Sequence, residues 1–289
     1  MKKKFFIVAI FVISILLLVI LLWQLRIFQN RISNISNTQA EKLSTVSQPS
    51  TTDTRNTEIQ NRIEKYGKNE IGIPVLMYHF FYDSSAGGKG SDNNFLDISK
   101  FEEQLKYLKD NDFFFPTFTE LSDFIVGKID LPKKSVVLTI DDGNVTFFAL
   151  AVPIIEKYEV PVTSFAITSN CDANTIVQYE SNYVHFESHS HDLHQAGKNA
   201  KGLLVNISYE EAYADIEKSI SIVNSKDAFC YPFGHYNDTA IQVLKDIGYK
   251  VAFTTKGGKV QMGMNPFELP RVRILRDDSI SSFIAKVKN

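Results

Sequence analysis

An α/β fold built on a parallel sheet is what this 289-residue sequence predicts, from three observations. Short apolar runs rich in β-branched residues alternate along the chain with segments of helical spacing. Two of those segments open with a Ser-x-x-Glu capping box, Ser99 to Glu102 and Ser208 to Glu211. The run SVVLTI, residues 135–140, ends in Asp141-Asp142-Gly143 and is followed by helical spacing, so it feeds a crossover and not a second antiparallel strand. Periodicity leaves an open doubly wound sheet and a closed barrel equally available.

In chain order, PVLMYHFF at 74–81 reads as a buried strand, and Phe101, Leu105 and Leu108 give the helix after it. The 135–140 strand leads into a helix over 146–158 and a strand over 161–167. A strand at 183–187, a helix from Ser208 to Asn224, a strand at 228–231 and a helix from Asp238 to Ile247 continue the alternation. Strands at 250–254 and 271–275 close it, and no internal repeat of 20 to 50 residues accompanies it.

Ahead of this lies a different chain. Three lysines precede an apolar run from Phe5 to Trp23, long enough as a helix to cross a ~30 Å hydrocarbon layer. Those lysines, with only Arg26 on the far side, predict a cytoplasmic N-terminus and an extracellular remainder. A cleaved signal peptide is the competing reading, but residues 16–28 offer no A-x-A-like site. Residues 29–67 are rich in Ser, Thr, Asn and Gln and read as a flexible tether, with a short packed helix near 58–66 as the alternative. The expected organisation is an anchor at 1–28, a tether at 29–67 and a globular domain at 68–289. A net charge of -2 excludes a nucleic-acid partner, and Cys171 and Cys230 are too few for a disulfide scaffold and are expected as separate buried thiols.

Three short stretches can carry chemistry. Asp141 and Asp142 end a strand, where adjacent carboxylates can take separate tasks, one on a metal and one on a proton; Asp-Gly is also a common hairpin turn. Four of the six histidines fall within VHFESHSHDLH, residues 184–194, a density that suits a metal site better than a solvated loop. Spacing leaves open which of His189, His191 and His194 pair. Tyr78-His79 and Cys230-Tyr231-Pro232-Phe233-Gly234 close two strands; a lone strand-end histidine is ordinarily core, and the second segment alone says only that the chain turns there, with its main-chain amides as oxyanion candidates.

Taken together and in this order, LTIDDG, SHSHDLH and YPFG resemble the polysaccharide deacetylase domain (NodB-type, carbohydrate esterase family 4) from about Ile73 onward. The resemblance implies a distorted (β/α) barrel that hydrolyses acetyl groups on sugars with a divalent metal, usually Zn2+. It casts Asp141 as general base and Asp142 as a metal ligand. Many members place a second histidine four residues after the first, but position 193 is Leu. The sequence is instead similar to the circularly permuted poly-β-1,6-N-acetylglucosamine deacetylase subgroup, whose five-residue step assigns the other ligands to His189 and His194. That subgroup carries a Tyr-His pair near the start of its domain, which makes His79 the catalytic acid.

The resemblance also places the Phe233 main-chain N–H at the oxyanion, with Tyr231 and Arg271 beside the substrate. One departure stands out: Cys230 occupies the position where the third motif has an arginine that holds the base, and Arg271 or Arg273 is the expected substitute. Phe233 stands where tyrosine is frequent, a change that leaves a main-chain donor intact. The implied substrate is a polysaccharide containing N-acetylglucosamine outside the cell, a β-1,6-linked polymer ahead of peptidoglycan. A sugar O-acetyl esterase uses the same site, and a glycan-binding pseudoenzyme is the reading that the missing motif arginine favours. A metal-dependent peptide amidase would need a different pocket.

Overall fold

The computed structural model describes residues 52–288. The predicted anchor and the first part of the predicted tether lie outside the described residues; among those described, no helix is long and apolar enough to cross a membrane.

Seven parallel strands close into a barrel: β1 (Val75–Tyr78), β4 (Val137–Asp142), β5 (Val162–Ala166), β6 (Val184–Ser188), β7 (Ala228–Cys230), β8 (Val251–Gly257) and β9 (Leu269–Arg273). Closure comes from β1, which pairs with β4 on one side (Tyr78 opposite Ile140) and with β9 on the other (Met77 opposite Arg273). The earliest strand in sequence therefore fills the gap between the second and the last. Parallel barrel strands are covered on both faces, and β1 and β5 are buried along their whole length. Inside, Val75, Val137, Phe165, Ala228, Val251, Phe253 and Leu269 form one apolar cluster.

The predicted single strand over 74–81 is two: β1 stops at Tyr78, and β2 (Phe80–Tyr82) pairs with β3 (Phe95–Asp97) in a separate ribbon. His79 lies at the break. Helix α2 (Ile98–Asp110) is capped by Asp97, whose carboxylate accepts from the Ser99 N–H, so the Ser99 box does not form. The Ser208 box does, and opens α6 (Tyr209–Val223). Another box, Thr117 with Glu120, opens α3 (Phe118–Ile125). The predicted 146–158 helix begins with a wide turn at Phe147–Ala151 and continues as α4 (Val152–Tyr158). Three further helices are α5 (Ala173–Tyr179), α7 (Asp238–Ile247) and α8 (Ile280–Val287).

The expectation of a flexible tether through residue 67 is corrected at its end, because Thr52–Tyr66 forms a 15-residue helix, α1, that packs on the domain. Ile59 is 3% exposed and joins the interior cluster. Arg55 pairs with Glu120 at 2.7 Å and lies 4.2 Å from the Phe114 ring centre, and Arg62 reaches Asp112 at 3.0 Å. The packed helix near 58–66, the alternative to the tether, is the reading that holds, and the helix starts earlier than that alternative placed it; one buried isoleucine and a row of ion pairs carry its docking. Its partners, residues 112–120, precede the N-terminal end of β4, opposite the carboxylates that end that strand.

Candidate active site

The chemistry-bearing side chains converge at the C-terminal rim of the barrel, where the loops of a βα barrel are free to vary. Asp141 is 2% exposed and faces Arg271 of β9, itself fully buried. The guanidinium binds both carboxylate oxygens, Nη1 to Oδ1 at 2.8 Å and Nη2 to Oδ2 at 2.7 Å. Its remaining donors reach Thr139 Oγ1 at 3.0 Å, the Thr254 carbonyl at 3.1 Å and Cys230 Sγ at 3.1 Å. Of the two candidate arginines, Arg271 thus holds Asp141; Arg273 turns outward to Asn94 Oδ1 at 3.1 Å. Cys230 is a buried free thiol, as is Cys171. With a side chain too short to carry the cation, it leaves room for Arg271 to cross the barrel to Asp141.

Strand alternation would separate Asp142 from its neighbour. A left-handed backbone at Asp142 (φ 77°) breaks that alternation, at a cost of about 1–3 kcal/mol for a non-glycine residue. The Asp142 carboxylate meets two imidazoles, its Oδ1 lying 3.6 Å from His189 Nε2 and 3.7 Å from His194 Nε2. His189 Nδ1 donates to the Cys230 carbonyl at 2.7 Å, which fixes the tautomer and leaves the Nε2 lone pair facing Asp142. The five-residue step between the histidines is accommodated by Ser190 at φ 73° and by Asp215 of α6, which accepts from the His191 and Asp192 N–H groups at 2.8 and 2.9 Å. His191 sits apart from this cluster, its Nδ1 3.0 Å from Thr168 Oγ1.

His79 Nε2 lies 3.8 Å from Asp141 Oδ2. Its main chain is held by Asn144, whose Nδ2 donates to the His79 carbonyl at 3.0 Å. Phe233 takes a left-handed conformation (φ 58°) and lays its ring over His194, with ring centres 4.2 Å apart. The turn needs Gly234: a Cβ there would stand 2.2 Å from Thr255 Oγ1 and 2.6 Å from its nitrogen. Tyr231 departs from its expected place beside the substrate. Its hydroxyl donates to the Phe267 carbonyl at 3.1 Å, its N–H donates to the Phe253 carbonyl at 3.0 Å, and its ring is buried against Phe229 and Tyr236. With both donors engaged, Tyr231 is a core residue.

Burial and charge divide the two carboxylates. Burial alone would raise Asp141, but the charge and hydrogen bonds of Arg271 outweigh it and hold the carboxyl well below the usual range. Burial, and then repulsion from Asp141, push Asp142 up to about 7 against the pull of Arg271. Burial likewise lowers His189 to about 3 and lowers His194 and His79, in each case against the attraction of Asp141. The rim therefore holds neutral imidazoles beside a carboxylate that resists ionising without a cation.

That arrangement fits a divalent metal. Asp142 Oδ1 is buried with no hydrogen-bond partner, and Asp142, His189 and His194 bring one donor atom each within 4.8 Å of one another. Donors ~2.0–2.2 Å from a tetrahedral ion stand roughly 3.3–3.6 Å apart, close to the 3.6 and 3.7 Å spacings found here. Asp141, His189 and Cys230 also cluster, but Arg271 already occupies both oxygens of Asp141.

A family model for polysaccharide deacetylase matches residues 128–252. The poly-β-1,6-N-acetyl-D-glucosamine N-deacetylase of Staphylococcus aureus is 30% identical over 224 residues, which cover 72% of this chain and 76% of that protein. The chain belongs to the polysaccharide deacetylase family. It is a polysaccharide N-deacetylase, a hydrolase. The fold is shared with the Streptococcus pyogenes deacetylase PplD in complex with acetate (TM-score 0.65, 24% identity, 76% of this chain and 99% of that one). It is shared equally with IcaB from Ammonifex degensii (TM-score 0.65, 23% identity, 76% and 99%). His79 and Arg271 lie outside the matched span and reach the deacetylase rim only because β1 and β9 close the barrel beside β4.

Sequence reasoning missed two residues that shape the site. Asn144 follows the Asp-Asp-Gly motif and could have been suspected from its position alone. Asp215 sits in the middle of an amphipathic helix, where nothing local distinguishes it from a solvated acid.

Proposed function

We propose that the protein removes acetyl groups from N-acetylglucosamine units of a polysaccharide outside the cell, with a divalent metal, Zn2+ first, held by Asp142, His189 and His194. The observation that carries the reading is the division of labour at the rim, one carboxylate locked ionised by Arg271 and its neighbour left without a partner between two imidazoles. A bound divalent ion supplies Lewis acidity, polarising the acetamide carbonyl and lowering the pKa of a water toward ~7.

This chain's own residues do the rest. Asp141, fixed in orientation by its two bonds to Arg271, receives the proton of the attacking water as the water adds to the carbonyl carbon. The Phe233 main-chain N–H, presented by its left-handed turn, faces the oxygen on which charge develops. His79, neutral at rest, 3.8 Å from the Asp141 carboxylate and tethered by Asn144, takes up the proton that Asp141 receives from the water and passes it to the sugar nitrogen as the carbon–nitrogen bond breaks. Acetate and a glucosamine unit result.

The S. aureus relative is named for a β-1,6-linked N-acetylglucosamine polymer, which supports that glycan ahead of peptidoglycan here. The apolar run at 5–23, with lysines before it, supports a single-pass anchor with the catalytic domain outside. Acetate release from β-1,6-linked N-acetylglucosamine oligomers and from peptidoglycan, measured side by side on the zinc-loaded protein, tests the substrate. Faster release from peptidoglycan would reverse the ranking.

A further inference from the structure

The left-handed backbone of Phe233 is a strained conformation for a residue with a side chain, and it persists only where the surroundings fix it. Two bonds inside the turn help, from the Gly234 N–H to the Tyr231 carbonyl at 2.7 Å and from the His235 N–H to the Pro232 carbonyl at 3.1 Å. Neither holds the Phe233 side chain, which is 42% exposed. The chain that follows His194 does. It folds back on itself, the Gly197 N–H donating to the Lys201 carbonyl at 2.7 Å and the Leu203 N–H to the Gln195 carbonyl at 2.8 Å, which delivers Gly202 to the turn. There Gly202 meets both residues that flank Gly234. A Cβ at Gly202 would stand 2.8 Å from Phe233 Cδ2, so glycine is what lets the main chain lie this close to a ring that also stacks on His194. The Gly202 N–H donates to His235 Nδ1 at 2.8 Å, and the Gly202 carbonyl accepts from Asn206 Nδ2 at 2.8 Å. Only an unprotonated ring nitrogen accepts, so the His235 proton sits on Nε2.

From this we infer that His235 is a positioning residue for the reaction: it ties the 195–203 hairpin to the turn, and the hairpin holds the Phe233 ring against His194 and so fixes the direction of the Phe233 main-chain N–H. The inference rests on reading that N–H as the donor to the developing oxyanion. Such a donor acts only if it already points at the place the charge will occupy. A turn released from Gly202 relaxes toward an unstrained φ, swings the Pro232–Phe233 peptide and withdraws the N–H. Because the oxyanion exists in the transition state and not in the bound substrate, the loss falls on kcat and spares KM. His235 acts through Gly202 and Phe233, not on the substrate.

The test uses the full chain in detergent and two substitutions, His235→Asn, whose Oδ1 can accept where Nδ1 does, and His235→Leu, which cannot accept. Without metal, hydrogen exchange at the Gly202 amide should be slow in the wild type and in His235→Asn, and about tenfold faster or more in His235→Leu. In the zinc-loaded chains acting on the β-1,6-linked N-acetylglucosamine trimer, His235→Leu should lower kcat about tenfold with KM and bound zinc unchanged, part of the roughly 10²–10³ that one oxyanion donor supplies, and His235→Asn should stay within about threefold of the wild type. Gly202→Ala disturbs the same contact from the other side and should lower kcat in the same way; combined with His235→Leu it should cost no more than the larger single loss, because both act through one ring. Unchanged exchange at Gly202 in His235→Leu, wild-type kcat in that variant, equal losses in the Asn and Leu variants, or zinc lost from His235→Leu would each overturn the positioning role while leaving the deacetylase intact. No acetate from the wild type would remove the oxyanion reading and this role with it.

Discussion

Replacing Arg271 with Met makes the sharpest use of the structure. The guanidinium is fully buried and makes two bonds to Asp141, so its removal leaves a carboxylate 2% exposed, without its cation, with only the Cys230 thiol at 3.6 Å and His79 at 3.8 Å beside it, and next to a second carboxylate. Removing one member of a buried ion pair costs about 3–5 kcal/mol. Asp141 can escape part of that cost only by taking a proton, which ends its use as a base and should reduce kcat by about 10²–10⁴. The pH dependence carries the sign. In the wild type the Asp141 carboxyl is depressed, so its contribution to stability is present above the ordinary carboxylate value near 3.8 and is lost as pH falls through the lower folded value. In the variant the carboxyl is raised, and stability is lost as pH rises from about 4. Urea unfolding from pH 4 to 8, with acetate release in parallel, measures both. A variant within about 1 kcal/mol of the wild type at pH 7 that still releases acetate at a comparable rate would refute the reasoning; adding Asp141→Asn to Arg271→Met should recover most of the lost stability.

Other consequences follow from single contacts. Because Asp142 is raised to about 7 and must be ionised to bind a cation, zinc affinity should fall about tenfold per pH unit below 7, as titration calorimetry across pH 5 to 8 would show; a flat affinity would exclude Asp142 as a ligand. Tyr231→Phe removes the hydroxyl bond to the Phe267 carbonyl and should cost about 1 kcal/mol in unfolding while leaving kcat/KM within twofold, and a tenfold loss of activity would return Tyr231 to the site. A chain beginning at residue 68 should be less stable by several kcal/mol than one beginning at residue 52, since α1 buries Ile59 and pairs Arg55 with Glu120. Equal melting temperatures for the two chains would show that α1 is dispensable.

What was legible in the sequence follows physical locality. Most barrel strands were readable because their runs are largely apolar, although nothing local marked the break at His79 that divides 74–81, and the paired aspartates because they end such a strand. The histidine assignment needed the family resemblance, since the loop from His189 to His194 is shaped by Asp215, 21 residues beyond His194 in a helix with no local mark. Tyr231 was misplaced because a motif position specifies a backbone location, whereas the direction of its side chain depends on Phe229, Tyr236 and Phe267. Arg271 is the reverse case. Only barrel closure brings β9 next to β1, one strand away from β4 and its Asp141, and only then does the absent motif arginine at Cys230 have a visible replacement. Helix α1 was legible only as an alternative over 58–66, because ion pairs and one isoleucine do the work that an apolar stripe does elsewhere.

The central claim, that adjacent aspartates divide proton transfer from metal binding, is tested most directly by measuring bound zinc and acetate release together in Asp141→Asn and Asp142→Asn. Asp141→Asn should keep close to one zinc per chain and lose activity, and Asp142→Asn should lose both. Metal lost from Asp141→Asn but retained in Asp142→Asn, or acetate released by both, would contradict it.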